Sequence, residues 1–407
     1  MKSILGTIIC SLLFAQSVYA DDYHYRNILV GEQASGLAGS YVAISDDPSG
    51  IFYNPAGIVF GMENYFSLSA NAYMQNTRKY QSVIAGQDYN YTSASLVPTF
   101  FGLTQSYGRD KWGFAVVVPN QDSYNQNDQI SINATGPTDA NTFKRKYFDQ
   151  DQTYLIGVAY AKELFKDTTG GLSLMGVYRT RNAIDTQLIL YNDKNYYIQE
   201  TNIDQTTAGV YVKYGMQYMP IPKFSFGATI AKTITLNSTR KMRTTIVDSK
   251  EATNPTEQNP VSSPKLLSPI EVAFGAAYFP SKTVLYTSDF IYYTADNEHT
   301  DFAAKATWNL SMGTERYLSD SLVLRLGFFT NNANTPQVSS TLTNQLDHVD
   351  LYGLTAAVAM RSPGSSVTIG TTFSTGSGQG QAIGNNTRVN TILEQRAAVY
   401  LVGSYQL

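Results

Sequence analysis

Few residues in this chain have the chemistry of a catalytic group, and they are scattered. Imidazole comes from His24, His299 and His348 alone, and the one cysteine, Cys10, lies near the start of the chain. Catalysis needs a nucleophile or a metal with a base held beside it, and these residues form no recognisable arrangement of that kind. The sequence therefore predicts neither an enzyme nor a bound metal or cofactor. The acidic pair Asp46-Asp47 could bind calcium, although capping of a turn is the simpler interpretation.

Charges placed inside apolar, alternating segments are more informative. Arg179, Arg181 and Asp185 are all at odd-numbered positions of one predicted strand. Glu271 and Arg325 are each adjacent to apolar residues in their own strands. Because successive side chains of a strand point to opposite faces, these five charges lie on a face opposite to the apolar side chains. A basic side chain on such a face can hold a carboxylate through charge-assisted hydrogen bonds.

The elements that carry these charges are β-strands with one apolar face. Between Val210 and Tyr218 every second side chain is apolar or aromatic, and the other positions carry small or polar residues such as Gly215 and Gln217. A soluble β-sandwich could alternate in the same way. The length of these segments, and the small polar side chains of the second face, favour a barrel whose second face lines a lumen.

Composition supports a transmembrane barrel. Charged residues make up 15% of the chain and aromatic residues 13%, with 30 tyrosines. An ordinary soluble domain has about 25% charged residues. In a transmembrane barrel the apolar and polar residues alternate along each strand, so the sequence contains no long apolar block. The net charge of −3 gives no reason to expect a nucleic-acid partner.

The sequence predicts an all-β fold, a 14-stranded antiparallel transmembrane β-barrel over residues 64–407. The strands are expected at about residues 64–74, 94–108, 111–120, 152–165, 169–190, 205–219, 222–240, 269–279, 283–296, 305–317, 321–332, 350–361, 365–376 and 396–407. Tight turns alternate with long polar links, at 75–93, 121–151, 191–204, 241–268, 297–304, 333–349 and 377–395. An even strand number with this alternation is the bacterial outer-membrane pattern, which puts the short turns and both termini in the periplasm.

The N-terminal segment predicts export. Residues 1–20 contain Lys2, an apolar stretch from Ile4 to Ala15 and a small residue at Ala20, as a secretory signal peptide does. No later segment offers the ~20 continuous apolar residues of a spanning helix. The sequence therefore predicts a barrel exported to the outer membrane and anchored by its strands.

Residues 21–63 are expected to fold as a compact plug inside the barrel. Between Gly31 and Gly61 the chain is rich in glycine and contains Ala43-x-Ser45-Asp46-Asp47 and then Asn54-Pro55-Ala56. This succession resembles the N-terminal hatch of the FadL family of outer-membrane transporters for long-chain fatty acids and other hydrophobic compounds. Asn54 is expected to turn the chain through hydrogen bonds from its side chain to nearby backbone groups.

The resemblance extends along the barrel. The segments 111–114 (KWGF), 268–272 (SPIEV), 313–317 (GTERY) and 324–328 (LRLGF) are similar to recurrent strand and turn phrases of FadL-type barrels. The chain departs from the usual pattern at its end, because Leu407 stands where such barrels commonly have an aromatic residue.

The resemblance implies a ligand pocket near the hatch. Tyr23 and Tyr25 would insert an aromatic ring into it, as the N-terminal tail does in the family. For Arg179, Arg181 and Arg325 two interpretations stay open: ion pairs that hold the hatch inside the barrel, or a basic group that meets the carboxylate of an amphipathic ligand.

The resemblance also implies a lateral opening made by an inward kink of the third strand. Here the third strand contains Val118, Pro119 and Asn120. Proline donates no ladder hydrogen bond, so Pro119 marks either a break in the wall or the end of the strand at the extracellular rim.

The function expected from this resemblance is passive uptake of hydrophobic small molecules by a monomer in contact with outer-membrane lipid, with lateral release into the bilayer. Two other functions remain open. A general porin for polar solutes would need no plug, and a structural or adhesive barrel would work through its long loops.

Overall fold

The structure is a computed structural model that describes residues 23–84, 86–132, 140–250, 255–297, 303–343, 345–382 and 387–407. The predicted signal peptide, residues 1–20, lies outside the described residues, and so does His299.

The described chain begins with short helices and continues with strands. The helices are α1 (Glu32–Gly36), α2 (Gly50–Tyr53) and a 3₁₀ helix (Pro55–Phe60). The strands are β1 (Asn64–Ile84), β2 (Gln87–Tyr107), β3 (Asp110–Ser131), β4 (Ala140–Phe165), β5 (Thr168–Tyr191), β6 (Tyr196–Ile221), β7 (Phe224–Asp248), β8 (Thr256–Gln258), β9 (Val261–Ser262), β10 (Glu271–Ser281), β11 (Val284–Tyr293), β12 (Thr307–Tyr317), β13 (Leu322–Asn331), β14 (His348–Val349), β15 (Leu351–Ser362), β16 (Ser365–Gly380) and β17 (Asn390–Gln406).

Among the described residues, 14 long strands close into an antiparallel barrel. Each long strand pairs with its neighbour in the chain, β7 pairs with β10, β13 pairs with β15, and β1 pairs with β17 to complete the ring. The short strands β8, β9 and β14 add to one end of this sheet. Closure leaves no free sheet edge, which is how a sheet can span a bilayer with its backbone groups satisfied. The predicted fold class and strand number are confirmed.

Several strands are longer than the sequence predicts. β1 continues to Ile84 and β3 to Ser131, so the expected links 75–93 and 121–151 are mostly strand. Beyond the apolar band both faces of a strand can be polar, and the alternation that marks a membrane strand then disappears while the backbone pairing continues.

We call the end of the barrel with these extensions the upper end and the end with the short turns the lower end.

The two faces of the wall differ as the alternation predicts. Large apolar side chains such as Leu174, Tyr214 and Ile230 are exposed on the outside, at 51%, 42% and 49%. The intervening Ser173 and Lys213 are buried inside. An apolar outer face around a closed barrel is the surface that faces lipid, and bacterial barrels of this kind lie in the outer membrane. No helix among the described residues is long and apolar enough to cross a membrane.

Candidate functional site

The hatch, residues 23–63 as the structure describes it, fills the lower lumen. Hydroxyl groups of the wall donate hydrogen bonds to its backbone carbonyls, from Thr169 to Ala56 (2.9 Å), from Ser173 to Ile51 (2.7 Å) and from Ser225 to Ala43 (2.6 Å). The small polar side chains on the lumen face therefore serve as partners for a turn-rich segment that has little internal pairing of its own.

A buried carboxylate of the wall holds the middle of the hatch. Asp289 on β11 accepts hydrogen bonds from the backbone N–H groups of Tyr41 (2.6 Å) and Val42 (2.8 Å). The same hatch loop touches the wall at the cross-strand pair Gly227 and Gly275, where a Cβ on Gly227 would lie 2.0 Å from the Val42 carbonyl oxygen. Glycine is required there because backbone meets backbone.

Asn54 joins the hatch motif to two other segments. Its Oδ1 accepts a hydrogen bond from the Ala56 N–H (3.1 Å), and its Nδ2 donates to the carbonyls of Val42 (2.7 Å) and Met216 (3.1 Å). The side-chain to backbone hydrogen bond expected of an asparagine before Pro55 is present. Pro55 occupies the start of the 3₁₀ helix, a position that needs no backbone donor.

Arg325 anchors α1 to the wall. Its guanidinium contacts Glu315 on the neighbouring strand β12 (2.6 Å) and Glu32 of the hatch (3.4 Å). Glu32 also accepts hydrogen bonds from three wall hydroxyls, those of Ser366 (2.6 Å), Thr368 (2.9 Å) and Ser404. Burial acts to raise the pKa of Glu32, but Arg325 and these hydroxyls outweigh burial and hold the pKa below its ordinary value.

Arg179 and Arg181 lie in a different environment. Arg179 pairs with Asp151, and Arg181 pairs with Asp149 (2.9 Å), in both cases across the β4–β5 boundary of the wall. Arg145 and Asp185 form a further pair of this kind (2.7 Å). These bidentate pairs neutralise the lumen face of β4 and β5, within the wall itself.

Tyr23 and Tyr25 begin a segment that crosses the lumen, and we call residues 23–30 the strap. The Tyr23 hydroxyl donates to Glu394 (3.0 Å), and its ring lies against the Arg78 guanidinium. The Tyr25 ring stacks on Tyr293 with 4.3 Å between centroids. The strap is thus fixed to the wall by its aromatic side chains.

The strap also contacts the third strand at the predicted break. The Ile28 N–H donates to the Pro119 carbonyl (3.2 Å), and the Asn27 side chain donates to Asn120 (2.9 Å). Arg396 of β17, which only β1 and β2 separate from β3, donates to Asn27 Oδ1 (2.9 Å). Asn27 therefore bridges β17 and β3.

At the level of Pro119 and Asn120 the wall is interrupted between β2 and β3. The two strands pair from Tyr107 with Asp110 up to Phe100 with Val117, and pairing is recorded again only at Ser93 with Tyr124. On its other edge β3 has a bulge between Val117 and Asn120 against β4. Residues 94–99 and 118–123 therefore face each other without ladder pairs, and we call this interruption the window.

The window lies near the top of the apolar band. Pro119 is nine residues beyond Asp110, the first residue of β3. With a rise of about 3.3 Å per residue and a tilt near 40°, this places Pro119 roughly 20–25 Å above the lower end, against an apolar band about 25 Å tall. Pro119 thus lies within a paired strand that continues to Ser131, and it does not end the strand.

A cavity adjoins the window on the inside. This upper cavity is bounded by strap residues 26–29, by Met74 of β1, by Gln121 and Asp122 of the window, and by Arg396. Its volume is about 70 Å³. Ligand pockets for small molecules commonly have about 300–1,000 Å³, so this cavity is smaller than such a pocket.

A second cavity lies below the hatch. This lower cavity has a volume of about 550 Å³ and is bordered by charged groups that include Glu32, Asp46, Lys223, Lys282 and Arg361. Apolar side chains that include Phe60, Met62 and Phe279 form the rest of its lining, which is therefore mixed.

A cluster of tyrosines lies above the window, on the lumen side of β1 to β4. The Tyr91 ring is surrounded by those of Tyr80, Tyr89, Tyr124 and Tyr147, at centroid distances of 5.5, 4.8, 6.3 and 5.3 Å. Edge contacts of this kind pack rings densely.

The histidines have structural partners. His24 Nε2 lies 2.8 Å from the Val349 carbonyl oxygen, and His348 lies 2.8 Å from the Gln337 side chain. Within the described ranges no group of three or more His, Cys, Asp or Glu residues is arranged to hold a metal ion.

The arrangement defines a class of protein, a closed outer-membrane barrel with an N-terminal hatch, a strap and an interrupted third strand. Solved structures similar to it include a Pseudomonas aeruginosa FadL homologue, with a TM-score of 0.62 at 12% identity over 94% of this chain and 99% of that one. The P. putida toluene transporter TodX gives 0.65 at 12% identity over 93% and 98%. The Ralstonia pickettii toluene transporter TbuX gives 0.63 at 12% identity over 93% and 98%.

These similarities confirm the FadL-type fold over nearly the whole chain. The proteins in question are transporters rather than enzymes. The sequence itself matches no family model and no curated protein.

Two residues that hold the strap could not be recognised in the sequence. Asn27 and Arg396 are common residue types in segments without a motif, and only the folded strap brings them together. The window was easier to predict from the sequence than these two residues, because a proline inside an apolar strand has few structural explanations.

Proposed function

We propose that this barrel carries hydrophobic small molecules, long-chain fatty acids or hydrocarbons, passively across the outer membrane and releases them sideways into the bilayer through the window. The observation that carries the proposal is the interruption of β2–β3 pairing directly beside the upper cavity. The toluene transporters among its structural neighbours support a hydrophobic solute.

The energetics favour lateral release. A solute leaving downward would pass the lower cavity and enter water, at a cost of roughly 25 cal/mol for each Å² of apolar surface exposed. A solute leaving through the window keeps that surface in an apolar medium. The window therefore offers the less costly exit.

The strap is the element that has to move. It fills the space beside the window. It is tied to Pro119 and Asn120 by one hydrogen bond each, and to Arg396 through both Asn27 (2.9 Å) and His24 (3.2 Å). A ligand that displaces it enlarges the upper cavity and frees the bulge of β3. Tyr23 and Tyr25 hold the strap in the closed state. The cations that border the upper cavity are Arg26 and Arg396, which places them better than Arg179, Arg181 or Arg325 to meet a ligand carboxylate.

This proposal includes the orientation and processing of the chain. Residues 1–20 are the signal peptide, residues 21–63 are the hatch, and the short turns and both termini lie in the periplasm. The barrel acts as a monomer in outer-membrane lipid, since one chain closes the ring. A lumen filled by a hatch at its lower end suits neither an open porin nor a barrel that works through its loops alone.

Cross-linking across the window tests the proposal. Continued in register, Leu96 faces Gln121 across the interruption. A Leu96→Cys/Gln121→Cys pair joined by a short bismaleimide should reduce uptake of a radiolabelled long-chain fatty acid to background, because the wall can no longer part. The barrel should remain heat-stable and inserted.

The matched control is Leu103→Cys/Phe114→Cys, which joins the same strands where they are already paired. Uptake should be unchanged by this cross-link. Uptake at the unmodified rate after cross-linking at 96 and 121 would exclude lateral release at the window.

A further inference from the structure

The outer wall carries an apolar groove that transport does not use. It has a volume of about 530 Å³ and lies across β6, β7, β10 and β11. Its lining is predominantly apolar and aromatic, with Met216, Tyr218, Phe226, Phe274 and Phe290 around a centre of smaller residues.

Small side chains make the floor of the groove. The register pairs Phe226 with Ala276 and Ala276 with Ser288, and it pairs Ala228 with Phe274. Ala228, Ala276 and Ser288 thus lie between protruding aromatic rings. Directly behind them the wall is thin, because Gly227 and Gly275 have no side chain inside. The floor is a furrow between these rings, which a flexible chain of methylene groups can enter.

An aromatic row and two cations lie below the groove. Phe224, Tyr278 and Tyr286 are cross-strand partners, and the Phe224 and Tyr278 rings stack at 4.8 Å. Rows of this kind mark the membrane interface in barrels. Beyond the row, the turns carry Lys223 and Lys282, both exposed at the rim between the lower cavity and the lipid.

The charge of these lysines is available to an outside group. In the described part of the chain neither ammonium is paired with a carboxylate. From the groove to the rim, the outer wall presents an apolar furrow, then an aromatic row, then two cations. A phospholipid in a bilayer presents its acyl chain, the interface and its phosphate in the same order.

We propose that the groove is a binding site for one phospholipid, with an acyl chain on Ala228, Ala276 and Ser288 and the anionic phosphate on Lys223 and Lys282. The leaflet follows from the orientation proposed above and is the periplasmic one. Binding itself does not depend on that orientation or on transport, so the two proposals can fail separately.

Native mass spectrometry of the full-length barrel with added dioleoyl phosphatidylglycerol tests the site. The unchanged protein should retain one lipid more tightly than any further lipid. Ala228→Leu/Ala276→Leu, which fills the floor, should abolish this first binding event. Lys223→Gln/Lys282→Gln should weaken it by about twentyfold, since a lysine near an anionic lipid contributes about fivefold.

The control is Ala356→Leu, which adds the same bulk on the outward face of β15, away from the groove. It should leave the first binding event unchanged, and heat-modifiability on gels checks that each variant is folded. The lysine variant alters only exposed turns, so it tests the site even if the alanine variant fails to fold. Equal binding by all variants, or equal weakening by the control, would overturn the proposal. A dimer of the unchanged protein that only the alanine variant abolishes would also overturn it.

Discussion

Removal of residues 21–61 is expected to leave a folded barrel that conducts small polar solutes without selectivity. The pairing of all 14 barrel strands is complete without the hatch, which contributes side-chain and backbone contacts but no strand. Wall groups such as Thr169, Ser173 and Asp289 would then be hydrated in place of binding the hatch. Conductance in planar bilayers should rise from near zero to steady openings.

A shorter deletion separates the hatch from the strap. Removal of residues 21–30 alone should leave no steady conductance, because the rest of the hatch keeps its bonds to Asp289 and Arg325. Conductance that stays near zero in the longer deletion, with heat-modifiability unchanged, would contradict the role of the hatch as the plug.

Arg325→Met is expected to release α1 from the wall. The substitution leaves the carboxylates of Glu32 and Glu315 buried without their cation, and removal of one partner from a buried ion pair costs about 3–5 kcal/mol. Hydrogen exchange of residues 31–41 in the folded barrel should therefore become much faster. The triple variant Arg325→Met/Glu32→Gln/Glu315→Gln should recover part of the protection.

The matched variant for this test is Arg179→Met. It breaks a buried pair with Asp151 in the wall, so it should lower barrel stability without changing exchange in the hatch. Equal protection of residues 31–41 in Arg325→Met and in the unchanged protein would show that the ion pair does not hold the hatch.

The pKa of Glu32 adds a pH dependence with a defined sign. Because the pKa is held below its ordinary value, the contribution of Glu32 to hatch docking is complete above the ordinary carboxyl range. It is lost as the pH falls through the lowered pKa.

Much of the architecture follows from local pattern. The alternation from Val210 to Tyr218 identifies a membrane strand because lipid requires one apolar face, and the glycines and Asn54-Pro55 identify a turn-rich plug. The extensions of β1 and β3 could not be predicted, since above the membrane Asn and Gln occupy both faces.

The contacts of the candidate site were harder to predict from the sequence than the fold was. Parity placed Arg179, Arg181 and Arg325 in the lumen, but their partners depend on register and on docking of the hatch. Asp149 and Asp151 lie one strand away, whereas Glu32 lies 293 residues away from Arg325. A single sequence contains no signal for a contact of that separation.

The path of the solute is measured most directly by photolabelling. A fatty acid with a diazirine near its methyl end, activated during uptake, should label residues of the strap and window, Ile28, Met74, Leu96 and Gln121. Labelling at these positions, identified by mass spectrometry, is the result expected for lateral release. Labelling instead along the lower cavity, at Phe60, Met62 and Phe279, would show that the solute passes the hatch into the periplasm and would contradict it.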